Sequence, residues 1–200
     1  MTLDHVTRVR GAKGAGEDRV SVVPRGHGLV IALADGAGGS GRGARAAELA
    51  VARLAAAAQQ RELDATSALK DVDRQLAVLS GEAAAVVLAV TASQIKGASV
   101  GDCAAWIVAP DGNVDMLTAR QHRKPLLGAG ASTISFAAPF TTGTLIVGSD
   151  GLFAYASTGR IVAACAHATL DEAADALMRA VELPTGGLQD DVALVVCRRS

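Results

Sequence analysis

The chain predicts an α+β layered fold dominated by antiparallel strands, and three observations carry that expectation. Strand-sized apolar runs such as LVIALA and TLIVGS belong to a series joined by hairpin-type turns, not by regular helical crossovers. Helical patterns gather in two groups, near residues 42–80 and 157–181, instead of alternating with strands. With 200 residues, half of them hydrophobic, the chain can bury a substantial core. Neither a linker nor an internal repeat interrupts it, so residues 1–200 are expected to form one domain.

Taken in order, residues 3–10 and 18–24 carry strand patterns, and 27–34 is a stronger apolar strand. GAGGSGRG breaks the pattern before an Ala-rich helix at 42–60 and a second helix at about 64–80. AAVVLAVT, KGASVGD and AAWIVAP follow as short strands. Pro110-Asp111-Gly112-Asn113 then has the chemistry of a hairpin turn into VDMLT. Residues 119–143 are polar and rich in Gly, Ala and Thr, with few signals. GTLIVGS is a strand, 157–168 and 170–181 are helices, and 191–198 is a last strand. Because only 2% of the residues are aromatic, Ala, Val and Leu must fill the core, which lets helices lie close against sheets.

Charge and composition narrow the function. Lys+Arg 19 against Asp+Glu 20 gives a net charge of -1 without a block of one sign, so a nucleic-acid footprint is not expected. The charged start MTLDHVTRVR is unlike a signal peptide, and no apolar stretch reaches the length of a bilayer span. No membrane partner is expected. Cys103, Cys165 and Cys197 lack CxxC spacing and read as small buried thiols in a reduced cytoplasm.

The chemistry-bearing residues are aspartates at the ends of apolar runs. Asp35-Gly36 follows LVIALA, Asp102 follows Ala98-Ser99-Val100-Gly101, Asp150-Gly151 follows LIVGS, and Asp190-Asp191 precedes VALVV. A carboxylate at the lip of a buried strand is costly unless its charge is compensated. Several of them, drawn from distant parts of the chain, point to convergence on a cation. Oxygen donors without a His/Cys cluster suit a hard divalent ion such as Mg²⁺ or Mn²⁺; His5, His27, His122 and His167 are scattered.

A glycine-rich loop offers a competing reading. Gly36-Ala37-Gly38-Gly39-Ser40-Gly41 matches GxGxxG between a strand and a helix, the setting of a dinucleotide-binding oxidoreductase. Asp35 immediately before it would repel a pyrophosphate, and about twenty residues on, where an acid should close a second strand, the pattern is still helical. No Gly-Lys-Ser/Thr follows, so a Walker A loop fails as well. The glycines are better explained by a tight turn that leaves the Gly36 carbonyl facing a ligand.

Lys13-x-x-x-Glu17-Asp18, Ala34-Asp35-Gly36-Ala37-Gly38-Gly39, Val100-Gly101-Asp102, Leu117-Thr118, Ser149-Asp150-Gly151-Leu152 and Gln189-Asp190-Asp191 stand in that order. Over nearly its whole length the chain thereby resembles the PP2C-type metal-dependent protein phosphatases (PPM), including their bacterial SpoIIE-like branch. The resemblance implies a sandwich of two antiparallel β-sheets flanked by helix pairs, in αββα layers, with metals at one end between the sheets. It implies that Asp35 bridges two Mn²⁺ or Mg²⁺ ions and that the Gly36 carbonyl binds one of them. Asp150 and Asp190 would bind the other, Asp18 would act through a water with Glu17 supporting it, and Asp102 would help hold a third, weaker ion. A hydroxide between two cations about 4 Å apart would attack phosphorus directly. Ser149 would be structural, not a nucleophile.

The chain also departs from that family. Lys13 stands where an arginine usually grips the substrate phosphate, keeping the charge but losing the bidentate fork. Gly16 replaces a common asparagine, and Ala37 stands where eukaryotic-type members carry a histidine. Gly101-Asp102-Cys103-Ala104 lacks the arginine of GDSR, and the acid that should precede His122 is missing from RQHRKP. Residues 119–148 are short for the family's flap. The expected function is a Mn²⁺/Mg²⁺-dependent phosphoserine/phosphothreonine protein phosphatase in the cytoplasm, acting on a phosphorylated protein and opposing a Ser/Thr kinase. The alternative is a non-catalytic PP2C-like module that binds a phosphoprotein or partner.

Overall fold

The computed structural model describes residues 2–38, 41–60 and 62–199; Gly39 and Ser40 of the glycine-rich motif lie outside them. One sheet contains β1 (Leu3–Arg10), β10 (Val192–Arg199), β9 (Thr144–Gly148), β6 (Ala104–Val108) and β7 (Val114–Met116), in that spatial order. The other contains β2 (Arg19–Arg25), β3 (Gly28–Ala37), β4 (Glu82–Val90), β5 (Gln94–Val100) and β8 (Ile134–Pro139). Every neighbouring pair is antiparallel. The helices are α1 (Arg42–Ala57), α2 (Ala65–Val78), the single turn α3 (Asp150–Phe153), α4 (Thr158–Cys165) and α5 (Leu170–Ala180).

The continuous apolar runs follow from burial on both faces of the central strands. On β3, Leu29, Ile31 and Leu33 point between the sheets, while Val30, Ala32 and Ala34 meet α1 and α2. On β10, Ala193, Val195 and Cys197 face the other sheet, while Val192, Leu194 and Val196 meet α4 and α5. The result is the expected αββα layering. Small residues set the spacing: Ala46, Ala47 and Ala50 of α1 pack on Ala32 and Ala34, allowing the helix to lie close to its sheet. A capping box begins α5, with Thr169 and Glu172 exchanging side-chain and backbone bonds.

Two expectations need correction. The weakly patterned stretch 119–143 contains a real strand, β8, which pairs with β5 along the edge of its sheet. The strands read as consecutive hairpins also divide between the sheets, because β6 pairs with β7 and β9 but not with β5. The chain therefore changes sheet at Gly101-Asp102-Cys103, as it does earlier between β1 and β2. Both crossings lie at the same end of the sandwich, and both deliver an aspartate there.

Asp191 fastens the first crossing. Its Oδ1 accepts the Ala12 amide at 2.7 Å and its Oδ2 the Glu17 amide at 2.5 Å, closing the loop that carries Lys13 onto the start of β10. Asp191→Ala leaves both half-buried amides without that acceptor and should cost about 2 kcal/mol. Asp191→Asn keeps one acceptor oxygen and should cost less. Urea denaturation midpoints for both variants check this, and wild-type stability in Asp191→Ala would contradict it.

Candidate metal centre

Strand register brings the aspartates together. Arg19 pairs with Ala34, so the next position outward sets Asp18 opposite Asp35. Ala104 pairs with Gly148, and two steps beyond that pair the chain reaches Asp102 on one side and Asp150 on the other. Carboxylate oxygens of Asp35, Asp102 and Asp150 all lie within 4.8 Å of one another. These residues line a cavity of about 520 Å³ with Gly36, Arg123 and Asp190. The sequence-based assignment set Asp102 apart as the weaker ligand; geometrically it sits inside the tightest group.

The two Asp-Gly pairs have a packing reason. A Cβ on Gly36 would lie 2.0 Å from the Gly43 carbonyl of α1, and one on Gly151 would lie 1.9 Å from the Asp191 carbonyl. Each glycine lets a second backbone segment cross directly behind the aspartate before it. The same close approach brings Glu17 against Gly43, adding negative charge to the first turn of α1, which has no acidic residue of its own. Ser149 has the structural role expected of it, its Oγ accepting the Ala193 amide at 3.0 Å.

Burial and like charge act on these carboxyls in one direction. Burial pushes Asp35 up to about 9, reinforced by the charges of Asp18 and Asp150. Burial also pushes Asp18 up to about 6, against the pull of the neighbouring Ser149 hydroxyl and Asp35. Asp150 is raised by burial and by Asp102 and Asp190, with Arg123 opposing the rise. Asp18 is only 2% exposed; the Ser149 hydroxyl and the Asp35 carboxyl lie close to it, yet no hydrogen bond of good geometry reaches either of its carboxylate oxygens. A buried acceptor left this way calls for a group the polypeptide does not supply. With oxygen donors around it and no histidine lining the cavity, the residues fit a hard divalent cation.

The remaining candidates fall into place around this group. Lys13 is exposed and lines an adjoining cavity of about 580 Å³ that shares Asp190, so it stands beside the carboxylate cavity and not in it. Arg123 was not singled out by sequence. Its Nη2 lies 3.0 Å from Asp102 Oδ2 and 4.0 Å from Asp150 Oδ2. No local signal identifies it, because it reaches Asp102 from 21 residues away. Cys103 is fully buried, and burial together with the nearby aspartates raises its thiol well above the ordinary range, an inert packing residue. Cys197 is buried, Cys165 is partly so, and all three thiols are free. Among the described residues no helix is long and apolar enough to cross a membrane.

The family model "Stage II sporulation protein E (SpoIIE)" matches residues 25–200. No curated protein matches in sequence. Solved structures do match over almost the whole chain. The catalytic domain of the serine threonine protein phosphatase PstP, in complex with 2 manganese ions, shares 20% identity with a TM-score of 0.80, covering 98% of this chain and 97% of that one. RsbX in complex with magnesium shares 16% identity with a TM-score of 0.80, covering 99% and 96%. Serine/threonine phosphatase Stp1 from Staphylococcus aureus shares 17% identity with a TM-score of 0.82, covering 99% and 94%. At these identities the likeness establishes the fold, a PP2C-type sandwich, and the family model places the chain within it. The chain belongs to the SpoIIE family of PP2C-type phosphatase folds.

Proposed function

We propose that the protein is a Mn²⁺- or Mg²⁺-dependent phosphatase of phosphoserine and phosphothreonine in proteins, with residues 1–200 as one catalytic domain and 119–148 as a shortened flap. The observation that carries this is the convergence of Asp18, Asp35, Asp102, Asp150 and Asp190 at one end of the sandwich, with Asp18 buried and unpartnered. Structural neighbours solved with manganese and with magnesium support the choice of ion. Their phosphatase names support a phosphoprotein substrate, supplied by a Ser/Thr kinase.

Bound divalent ions would make a nucleophilic hydroxide from water at neutral pH and offset charge on the phosphoryl oxygens. Asp35, Asp150 and Asp190 would hold two such ions with the Gly36 carbonyl. Asp102 belongs with this group and would also serve a third. Asp18, opposite Asp35, would orient a water at the cluster's floor. Lys13 would attract the phosphate from the adjoining cavity. Cytoplasmic action fits the free thiols.

Hydrolysis of a phosphoserine peptide and of p-nitrophenyl phosphate, each with Mn²⁺, Mg²⁺ or EDTA, tests this reading. Turnover should require metal and fall at least a thousandfold, an order-of-magnitude expectation, in Asp35→Asn. Wild-type turnover in that variant would contradict the ligand assignment. Folded protein that binds metal without turnover would favour the non-catalytic module.

Proton release gives a second check. With Asp35 pushed up to about 9, the metal-free site holds a proton at pH 7 that a cation must displace. Calorimetric Mn²⁺ titrations in buffers of different ionisation enthalpy should show about one proton released per protein at pH 7. The release should diminish above pH 9, where the free carboxyl is already ionised. Buffer-independent heats at pH 7 would contradict it.

A further inference from the structure

Arg123 occupies a particular place. Its Nε and Nη2 lie 3.1 and 3.0 Å from Asp102 Oδ2, and Nη2 is 4.0 Å from Asp150 Oδ2. Both carboxylates belong to the group that the proposed function gives to metal. The side chain is nevertheless 77% exposed, so the ion pair is screened by water and adds little to stability. A divalent cation brings twice the charge to the same oxygens and would compete with the guanidinium for them.

Displacement would not carry Arg123 far, because the strap bearing it is fastened on both sides. Before it, Gln121 Nε2 donates to the Cys103 carbonyl at 2.9 Å. After it, Leu127 exchanges both backbone hydrogen bonds with Ala83, at 3.0 and 3.2 Å. Beyond that, Asp73 Oδ1 on α2 accepts the amides of Gly128, Gly130 and Ala131 at 2.7, 3.2 and 3.3 Å. The backbone at Arg123 is thus anchored at the cavity mouth while its side chain can swing. A planar fork of donors there matches two oxygens of a phosphoryl group, which a lysine cannot do.

We infer that Arg123 is a phosphate-binding residue: without metal it pairs with Asp102 and Asp150, and with metal bound it grips the phosphoryl oxygens of the substrate. This rests on the metal-dependent reading above, and it adds a guanidinium inside the cavity to the ammonium of Lys13 outside it. Two calorimetric titrations test it on wild type, R123A and R123K. Inorganic phosphate is titrated into Mn²⁺-loaded protein, and Mn²⁺ into protein stripped with EDTA and dialysed. R123A should weaken phosphate binding roughly tenfold or more, the effect of losing a charge-assisted hydrogen bond. R123K should recover part of that loss. R123A should bind Mn²⁺ at least as tightly as wild type, since a competitor for the carboxylates is gone. Unchanged phosphate affinity in R123A would overturn the inference, and so would a parallel loss of Mn²⁺ affinity, which would make Arg123 a prop of the cluster. Wild type that binds no Mn²⁺ would overturn the metal-dependent reading itself, and this inference with it.

Discussion

Burial and mutual repulsion together set the terms for the carboxylates gathered at one end of the sandwich. Oxygens of Asp35, Asp102 and Asp150 share a space in which none is more than 4.8 Å from another. At an effective dielectric of ~20, two full charges at such a distance repel by ~3 kcal/mol or more. Whole domains are stable by only about 5–15 kcal/mol, so the cluster cannot be fully ionised without a counter-charge. The protein answers by holding the Asp35 carboxyl well above the usual carboxylate range, by turning Arg123 onto the cluster's rim and, in the proposed function, by taking up divalent cations.

Holding such a group together requires a stiff frame, and the sandwich supplies one. The central strands β3, β4 and β10 are covered on both faces; β3 and β4 turn their larger residues between the sheets and smaller ones under the helices, and β10 does the reverse. Crossings between the sheets at 11–18 and 101–103 deliver Asp18 and Asp102 to the same end. The glycines after Asp35 and Asp150 permit backbone to pass behind each aspartate, which fixes the carboxylates without a side chain in the way. Asp191, excluded from the cluster by its own hydrogen bonds, ties the Lys13 loop to β10. Adjacent aspartates in one motif thus do different work, Asp190 facing the cavity and Asp191 the backbone.

Much of this was legible in the sequence, and the exceptions have physical causes. Strands such as β3 and β10 announce themselves because burial on two faces demands unbroken apolar runs. The aspartates stand out because each interrupts such a run at its end. β8 was hidden: ISFAAP sits at a sheet edge, and Ala137 and Pro139 at its exposed positions leave no polar–apolar alternation to read. The one-turn α3 is too short to leave a periodicity. Sheet membership was also hidden, since antiparallel neighbours such as β6 and β9 find each other across intervening chain. Arg123 illustrates the same limit, for its role comes from a strap anchored at Cys103, Ala83 and Asp73, which no motif spells out. The direction of the buried Asp18 carboxyl, with its unpartnered oxygens, likewise needed three dimensions.

If the fold tolerates a buried charge in order to bind a cation, thermal unfolding of Asp18→Asn beside wild type will reveal it. Asp18 is raised from 3.8 to about 6 on folding, so the wild-type carboxyl costs stability as pH rises from about 4 through 6 and the cost persists above that. In EDTA at pH 8, Asp18→Asn should therefore melt higher than wild type, on the order of 5 °C, and the difference should vanish near pH 4. Saturating Mn²⁺ should reverse the order at pH 8 by stabilising wild type more than the variant. If Asp18→Asn melts below wild type in EDTA at pH 8, and Mn²⁺ moves neither protein, the buried carboxylate is a structural element and the account is wrong.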